Sequence, residues 1–278
     1  MNVARDPAAA DWLPLLRRLT LVSPSWGVWK NASDALAGSG DIDSSGSPTD
    51  WPLVEREFES WAGERQLTPV FACRHIPGGI NLIAVPSGAP LLLELSVKER
   101  KVFRGSNLFT WRDLVPLMEM DALGFRRLRA GAEGLFKLVL NGATRDGKRN
   151  VIGLRSKHVL ELLRSDPSGV ELAARTFGPA ASAVLRSART AMIGDWDRPA
   201  LMATNAWALG RALLHPVDLS QRAQFHFVAK QRCPVLNALL KDHRRVPADR
   251  ATWLAAVTRS HDRHEATGDA TASSLTRR

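Results

Sequence analysis

The pattern of apolar and polar positions predicts alternating helices and strands in the first hundred residues. Apolar side chains recur every three or four positions over Ala8–Leu21, which is typical of an amphipathic helix ending before a Ser-Pro pair. Trp26–Lys30 then has the composition of a short strand. A brief helix around Ala35 leads into a Gly-Ser-Gly loop, after which polar and apolar side chains alternate over Asp41–Asp43, as in a half-buried strand.

A second amphipathic helix is predicted after Asp50, a residue type that caps helix starts. Val54, Phe58 and Trp61 fall on one face of this helix. Strand-like runs separated by Gly, Pro or Ser turns follow at Thr68–Ile76, Ile80–Val85 and Pro90–Lys98. Helices that cover one face of a small mixed sheet would account for this order of elements.

After about Asp121 the pattern becomes helical, with Gly and Pro between the segments. The predicted helices are Glu133–Leu140, Lys157–Leu163, Val170–Thr176, Ala180–Thr190, Pro199–Leu214, Leu219–Arg232, Pro234–Leu240 and Ala251–His261. The chain is therefore predicted to be α+β, with a small mixed β-sheet domain over residues 1–120 and an α-helical bundle over residues 121–264. The Thr-, Ser- and Ala-rich residues 265–278 are predicted to be a disordered tail.

Composition narrows the class of protein. The 278 residues include two cysteines, Cys73 and Cys233, too few for a disulfide framework or a four-cysteine zinc site. There is no secretion signal and no apolar run of about 18 residues, so we expect no membrane span and a cytoplasmic location. Lys and Arg exceed Asp and Glu by 10, which favours anionic partners, although a GC-rich genome also produces arginine-rich chains.

Common catalytic motifs are missing from the sequence. It has no Gly-x-Gly-x-x-Gly, no phosphate-loop Gly-Lys-Ser/Thr, no Gly-x-Ser-x-Gly and no Asp-Phe-Gly. These absences argue against dinucleotide oxidoreductases, P-loop NTPases, elbow-type serine hydrolases and protein kinases of the common type.

The most informative chemistry lies in Asp41 and Asp43. Residues two apart on a strand project from the same face, so both carboxylates could reach one divalent cation while Ile42 anchors the strand. Magnesium prefers such carboxylate oxygens together with phosphates. Glycines on either side of Ser39 would let the backbone approach a phosphate. The alternative is a solvated turn, which is the commoner setting for two aspartates beside glycines.

The order strand, short helix, Gly-Ser-Gly loop and Gly-Asp-Ile-Asp resembles the nucleotidyltransferase-fold superfamily over roughly residues 10–120. The resemblance implies a nucleotidyltransferase-like N-terminal domain that uses a nucleoside triphosphate, ATP among the candidates, as donor. It also implies Mg²⁺ or Mn²⁺ bound by Asp41 and Asp43. The residues that would hold the nucleotide phosphates are Lys30, Asn31, Ser39 and Gly40. The superfamily commonly has a Gly-Ser or Gly-Gly pair where this chain has Lys30 and Asn31.

A third acid often comes from a later strand in this superfamily. Glu94 and Ser96 alternate onto one face of the predicted strand, with Leu93, Leu95 and Val97 on the other. The resemblance places the acid at Ser96, so Glu94 is the candidate catalytic acid that could compensate from the same face.

Nearby basic residues are further candidates. Arg74 and His75 could hold phosphate, and the basic stretch Lys98–Arg104 could attract a triphosphate. A surface pair and a solvated loop are the respective alternatives. Basic clusters at Phe125–Arg129 and Arg145–Arg155 lie at the predicted domain boundary, where an acceptor would bind.

Three functions remain open on the sequence. The first is a metal-dependent nucleotidyltransferase that moves a nucleoside monophosphate to an unknown small-molecule, RNA or protein acceptor. The second is a catalytically weak relative of that fold that binds a nucleotide or nucleic acid. The third is a structural or interaction module in which Asp41–Asp43 is only a turn.

Overall fold

The computed structural model describes residues 12–37, 41–73, 78–86, 93–103, 106–141, 156–195, 197–214 and Ala255. These residues form a seven-stranded mixed sheet, a separate two-stranded hairpin and a set of helices, so the fold is mixed α+β as predicted. The helices are α1 (Trp12–Val22), α2 (Ala32–Leu36), α3 (Trp51–Glu64), α4 (Trp111–Leu114), α5 (Ala130–Asn141), α6 (Ser156–Ser165), α7 (Pro167–Ala174), α8 (Ala181–Met192) and α9 (Arg198–Leu214). The strands are β1 (Gly27–Lys30), β2 (Ile42–Ser45), β3 (Val70–Cys73), β4 (Gly79–Ala84), β5 (Leu93–Lys98), β6 (Arg100–Phe103), β7 (Ser106–Thr110), β8 (Met118–Met120) and β9 (Arg126–Leu128).

The strand order across the sheet is β3-β4-β5-β2-β1-β9-β8, whereas β6 and β7 form a separate two-stranded sheet. β2 is antiparallel to β1 and parallel to β5. β4 is antiparallel to β5, and β9 is parallel to β1. This topology places β1, β2 and β5, the strands that carry the candidate site residues, side by side in the sheet.

One face of the sheet packs against α1 and α3. The predicted apolar face of α3, Val54, Phe58 and Trp61, is buried there, and Trp12 of α1 stacks on Trp61 with ring centroids 5.0 Å apart. The apolar side of β5 contributes to the same core as predicted, through Leu93, Leu95 and Val97. Burial of aromatic side chains contributes about 1.5 to 3 kcal/mol each, so this core is a main stabilising element of the sheet.

The second core lies on the opposite side of β1. Trp29 belongs to this core, whereas its neighbour Val28 belongs to the core under α1 and α3. Phe109 of β7 and Phe136 of α5 pack with their ring centroids 4.4 Å apart, and Phe177 extends the cluster between α7 and α8. Helices α5 to α8 and the hairpin therefore share a core next to β1.

Two sequence predictions are wrong in detail, and one alternative does not hold. The basic stretch Lys98–Arg104, for which a solvated loop was the alternative, contains β6, and β9 lies where only helix was expected after Asp121. Asp50 directly precedes α3 but makes no side-chain cap bond to it. Its Oδ2 accepts hydrogen bonds from Ser23 (2.5 Å) and Ser25 (2.6 Å), which ties the loop before β1 to the start of α3.

The division of the chain at residue 120 stays a prediction. β8 and β9 lie on either side of that boundary and belong to the same sheet as β1. The predicted helices Leu219–Arg232 and Pro234–Leu240 lie outside the described residues, as do the tail 265–278 and all of Ala251–His261 except Ala255. No helix among the described residues is long and apolar enough to cross a membrane.

The contact between α5 and α7 depends on a glycine. A Cβ atom at Gly131 would overlap the backbone of Asp166 and Val170, whereas a Cβ at Gly210 in α9 would meet no atom within 4 Å. Gly131→Ala is therefore expected to lower the free energy of unfolding by about 2 to 3 kcal/mol. Gly210→Ala is expected to raise it by about 0.5 to 1 kcal/mol, because alanine favours helix. Chemical denaturation measures both, and equal effects would contradict this packing.

Candidate functional site

The candidate site begins with an irregularity in β1. The β1–β2 register shifts between Val28 and Lys30, and Lys30 lies opposite Asp43 of β2. In a regular strand, residues two apart share a face, so Lys30 would follow Val28 toward the core under α1 and α3. Such a bulge re-aims the following side chain. Lys30 can consequently reach Asp43 on the other face.

Asp43 is the buried acid of this face. Its carboxylate Oδ2 lies 2.7 Å from Lys30 Nζ, and its Oδ1 lies 3.8 Å from Lys98 Nζ. The Asp43 side chain is 5% exposed, and each lysine side chain is 25% exposed. Burial by itself raises the pKa of Asp43. The positive charges of Lys30 and Lys98 and the hydrogen bond from Lys30 lower it by more than burial raises it, so the pKa lies below its ordinary value. Asp43 is therefore an ionised anchor for two ammonium groups and a weak proton acceptor.

Neighbouring strands add polar side chains to the same face. Ser96 of β5 lies beside Asp43, and its hydroxyl donates to Asp43 Oδ1 over 3.0 Å. Asn81 of β4 pairs directly with Ser96, and Glu94 precedes Ser96 by two positions, so both belong to this face. Asp43, Ser96, Asn81 and Glu94 are all buried. We call these four residues, together with Lys30 and Lys98, the polar face.

Asn81 carries an unusual buried acceptor. Its Oδ1 is buried and has no hydrogen-bond partner among the described residues, and the side chain is 4% exposed. A buried acceptor of this kind costs about 1 to 3 kcal/mol unless a donor reaches it. A ligand hydroxyl or amine on the polar face would supply such a donor.

The hairpin adds a third lysine. Lys101 Nζ of β6 lies 4.8 Å from the ring centroid of Trp29, and Lys30 Nζ lies 5.0 Å from the same centroid. Burial lowers the pKa of Lys101, the positive charges of Lys98 and Lys30 lower it further, and Asp43 offsets part of the effect, so that the pKa is about 7. Three lysines thus share one buried carboxylate.

This crowding predicts a pH-dependent effect of Lys101→Met. Below about pH 7, Lys101 is charged in the folded and unfolded states, and the folded protein bears the full cost of its burial near Lys98 and Lys30. Between the folded pKa of about 7 and the ordinary value of 10.5, the unfolded chain binds a proton that the folded chain does not, so this cost fades as the pH rises. Lys101→Met is expected to raise the free energy of unfolding by about 2 kcal/mol at pH 6, falling to within about 0.5 kcal/mol of wild type at pH 10.

The control for this measurement is Lys157→Met, which removes the same charge from a side chain that is 90% exposed on α6. Lys157→Met is expected to change the free energy of unfolding by less than about 0.5 kcal/mol at both pH values. Urea denaturation at pH 6 and pH 10 measures the differences. A Lys101→Met variant that is destabilised at pH 6 would contradict the crowded arrangement.

A buried ion pair supports the turn after β1. Asn31 has a left-handed backbone (φ 59°), a conformation that asparagine tolerates, and its N–H donates to Glu133 Oε1 of α5 over 3.1 Å. The same oxygen lies 2.5 Å from Lys137 Nζ, and Arg127 Nη2 of β9 lies 3.5 Å from Glu133 Oε2. Lys137 in turn lies 3.0 Å from His158 Nε2 of α6. The helical layer is thereby bonded to the residue that follows Lys30.

Five of the seven predicted site residues lie in the described part of the chain. Asp43, Lys30 and Glu94 belong to the polar face, Asp41 lies half-buried one residue before β2, and Asn31 bonds to α5 through its backbone. Ser39 and Gly40, like Arg74 and His75, lie outside the described residues.

The donor set at Asp43 does not fit a ready magnesium site. Both of its oxygens are engaged, Oδ2 by Lys30 and Oδ1 by Ser96, so a divalent cation would compete with an ammonium at 2.7 Å. Among the described residues, no three His, Cys, Asp or Glu side chains are grouped as metal ligands would be. Binding of Mg²⁺ or Mn²⁺ by Asp41 and Asp43 stays a prediction.

Sequence reasoning missed Asn81 and Glu133. Asn81 interrupts the apolar run Ile80–Val85, and a polar residue in a buried strand is a signal that could have been used. Glu133 has no such signal, because an acidic residue in the first turn of a helix is common.

Comparison of the chain with models of protein families, with curated proteins and with solved structures found no match. A function is therefore inferred from the residues of the polar face.

Proposed function

We propose that the polar face binds the phosphates of a nucleoside triphosphate and that the chain is a nucleotidyltransferase, moving a nucleoside monophosphate to an unknown acceptor. The observation that carries the proposal is the position of buried Asp43 on β2 between Lys30 of β1 and Lys98 of β5. The strand–helix–strand order of β1, α2 and β2 supports it, because the resemblance in sequence rests on the same segment.

The charges of the face suit a phosphate chain. Lysine neutralises phosphate as a point charge, and hydrogen bonds between ammonium groups and phosphate oxygens are stronger than neutral ones. Asp43 holds the two ammonium groups near each other at the centre of the sheet. The Oδ1 of Asn81, which has no hydrogen-bond partner among the described residues, suits a ligand that also carries hydroxyl or amine donors, as a nucleoside does.

A second candidate is a catalytically weak relative that binds a nucleotide or nucleic acid. Ser96 favours it, because this hydroxyl stands beside Asp43 where the resemblance implies an acid. Glu94 lies two residues earlier on the same face and is an acid that could replace it. Turnover distinguishes the two candidates.

Thermal unfolding with each of ATP, GTP, CTP and UTP, with and without Mg²⁺ or Mn²⁺, tests the proposal. A ligand at about 100 times its dissociation constant adds roughly 2.7 kcal/mol to a folded protein, which raises Tm by about 5 to 10 °C at this size. We expect a rise with at least one triphosphate, reduced in Lys98→Met and preserved in Arg189→Met. Arg189 is 61% exposed in a surface pair with Glu171.

Pyrophosphate release then assigns the reaction. Release that is lost in Glu94→Gln supports the transferase, whereas binding without release supports the weak relative. A protein that melts cooperatively but whose Tm no triphosphate changes would contradict both candidate functions. The structural or interaction module would then be the remaining hypothesis.

A further inference from the structure

We infer that Lys30 and Lys98 take the place of a divalent cation at Asp43, so that the polar face binds the triphosphate directly and without metal. The inference rests on the proposed function, because it specifies how the same face holds its ligand. The observations that carry it are the contacts of Asp43, the hydroxyl of Ser96 and the surplus of positive charge.

The contacts of Asp43 leave little room for a metal ion. Lys30 Nζ lies 2.7 Å from Oδ2, and the Ser96 hydroxyl lies 3.0 Å from Oδ1. A metal ion needs these same oxygens as ligands, and magnesium gives up its bound waters reluctantly. The ammonium of Lys30 already supplies the positive charge that the carboxylate requires.

The next strand supplies no compensating carboxylate at this position. Ser96 lies beside Asp43 in the parallel pairing of β2 and β5 and contributes a hydroxyl, which carries no charge. Lys98 follows on the same strand, 3.8 Å from Asp43 Oδ1. At the position beside Asp43, β5 therefore supplies a hydroxyl and a nearby ammonium, while its carboxylate, Glu94, lies two residues before Ser96.

The lysines near Asp43 outnumber the acids of the polar face. Lys30 and Lys98 both approach Asp43, and Lys101, whose pKa is about 7, approaches from the hairpin over Trp29, whereas the acids of the face are Asp43 and Glu94. Lys98 lies beyond ordinary hydrogen-bond distance from Asp43, so this carboxylate does not occupy its N–H groups. Phosphate oxygens would satisfy these donors and balance the surplus, which is the role that a metal ion otherwise plays between a carboxylate and a phosphate.

Calorimetric titration at about pH 7 and low salt tests the inference with ATP, GTP, CTP, UTP and inorganic tripolyphosphate. Each ligand is titrated in EDTA and again with excess Mg²⁺. For the wild type we expect the dissociation constant in EDTA to lie within about threefold of the value with Mg²⁺. Lys30→Met and Lys98→Met are each expected to weaken binding in EDTA by at least about tenfold.

Two further variants sharpen the test. Lys157→Met removes one exposed lysine and is expected to change binding by less than about twofold. Ser96→Asp places a second carboxylate beside Asp43 and is expected to weaken binding in EDTA by at least about tenfold, with recovery in Mg²⁺. Ser96→Asp binding in EDTA as tightly as the wild type would contradict the inference, and circular dichroism establishes that each variant is folded.

The possible failures can be told apart. Triphosphate binding that requires Mg²⁺ overturns this inference and leaves the proposed function standing. Tripolyphosphate binding in EDTA that depends on Lys30 and Lys98, without binding of any nucleotide, supports the direct anion site and overturns the proposed function. Binding of no ligand under either condition overturns both.

Discussion

Glu133→Gln is expected to lower the free energy of unfolding by about 3 kcal/mol, or Tm by roughly 6 to 12 °C. The side chains of Glu133 and Lys137 are 4% and 5% exposed, and their charged atoms lie 2.5 Å apart. Glutamine keeps an acceptor for the Asn31 N–H but leaves the Lys137 ammonium buried without its counter-charge. Removing one partner of a buried pair costs more than replacing both, because the remaining charge stays desolvated.

The double variant Glu133→Gln/Lys137→Met is the matched control. It removes both charges, so we expect at least about 2 kcal/mol of the loss to be recovered. Lys137→Met alone is expected to cost about 1 to 2 kcal/mol, because Glu133 keeps Arg127 and the Asn31 N–H as partners. Urea denaturation of the four proteins completes the double-mutant cycle. Additive effects of the two substitutions would contradict a coupled buried pair.

Asp43→Asn is expected to lower the free energy of unfolding by about 2 to 3 kcal/mol at pH 7. The substitution leaves Lys30 and Lys98 facing each other without their shared carboxylate. This expected loss is smaller than the loss for a fully buried ion pair, because both lysine side chains are a quarter exposed and partly solvated.

The loss of stability caused by Asp43→Asn should become smaller as the pH falls. The pKa of Asp43 lies below its ordinary value in the folded protein, so the stabilisation is complete above about pH 5 and is lost as the pH falls below about 4. Urea denaturation at pH 7 and pH 3 measures the difference between Asp43→Asn and the wild type. The free energy of unfolding of the exposed control Glu171→Gln should stay within about 0.5 kcal/mol of the wild type at both pH values. A difference for Asp43→Asn that grows toward acid would contradict the ion pair.

Local periodicity predicts the regular parts of this fold well. The helix with Val54, Phe58 and Trp61 and the strand with Leu93, Leu95 and Val97 show a clear period, and both bury the expected faces. β6 and β9 are different, because they are short and rich in Arg and Lys. Strands are recognised by β-branched, aromatic and other apolar residues, which these basic segments mostly lack, so neither is recognised as a strand until its pairing partner is known.

The candidate site is predicted less completely, because its contacts join distant parts of the chain. Asp43 and Lys30 were both identified from the sequence, but their 2.7 Å contact depends on the bulge in β1. Glu94 and Ser96 were correctly placed on one face of a strand by their spacing. The Ser96–Asp43 bond also requires the parallel register of β5 with β2, which spacing alone does not specify. The bond between Asn31 and Glu133 links residues 102 positions apart.

Lysine acylation read by mass spectrometry tests the central claim, that the polar face binds nucleotide phosphates, most directly. The protein is treated with an amine-acetylating ester at about pH 7.5, alone and with each of the four nucleoside triphosphates. We predict that at least one triphosphate slows labelling of Lys30, Lys98 and Lys101 by at least about threefold and leaves the exposed Lys157 unchanged. Labelling of the three lysines that no triphosphate alters would contradict the claim.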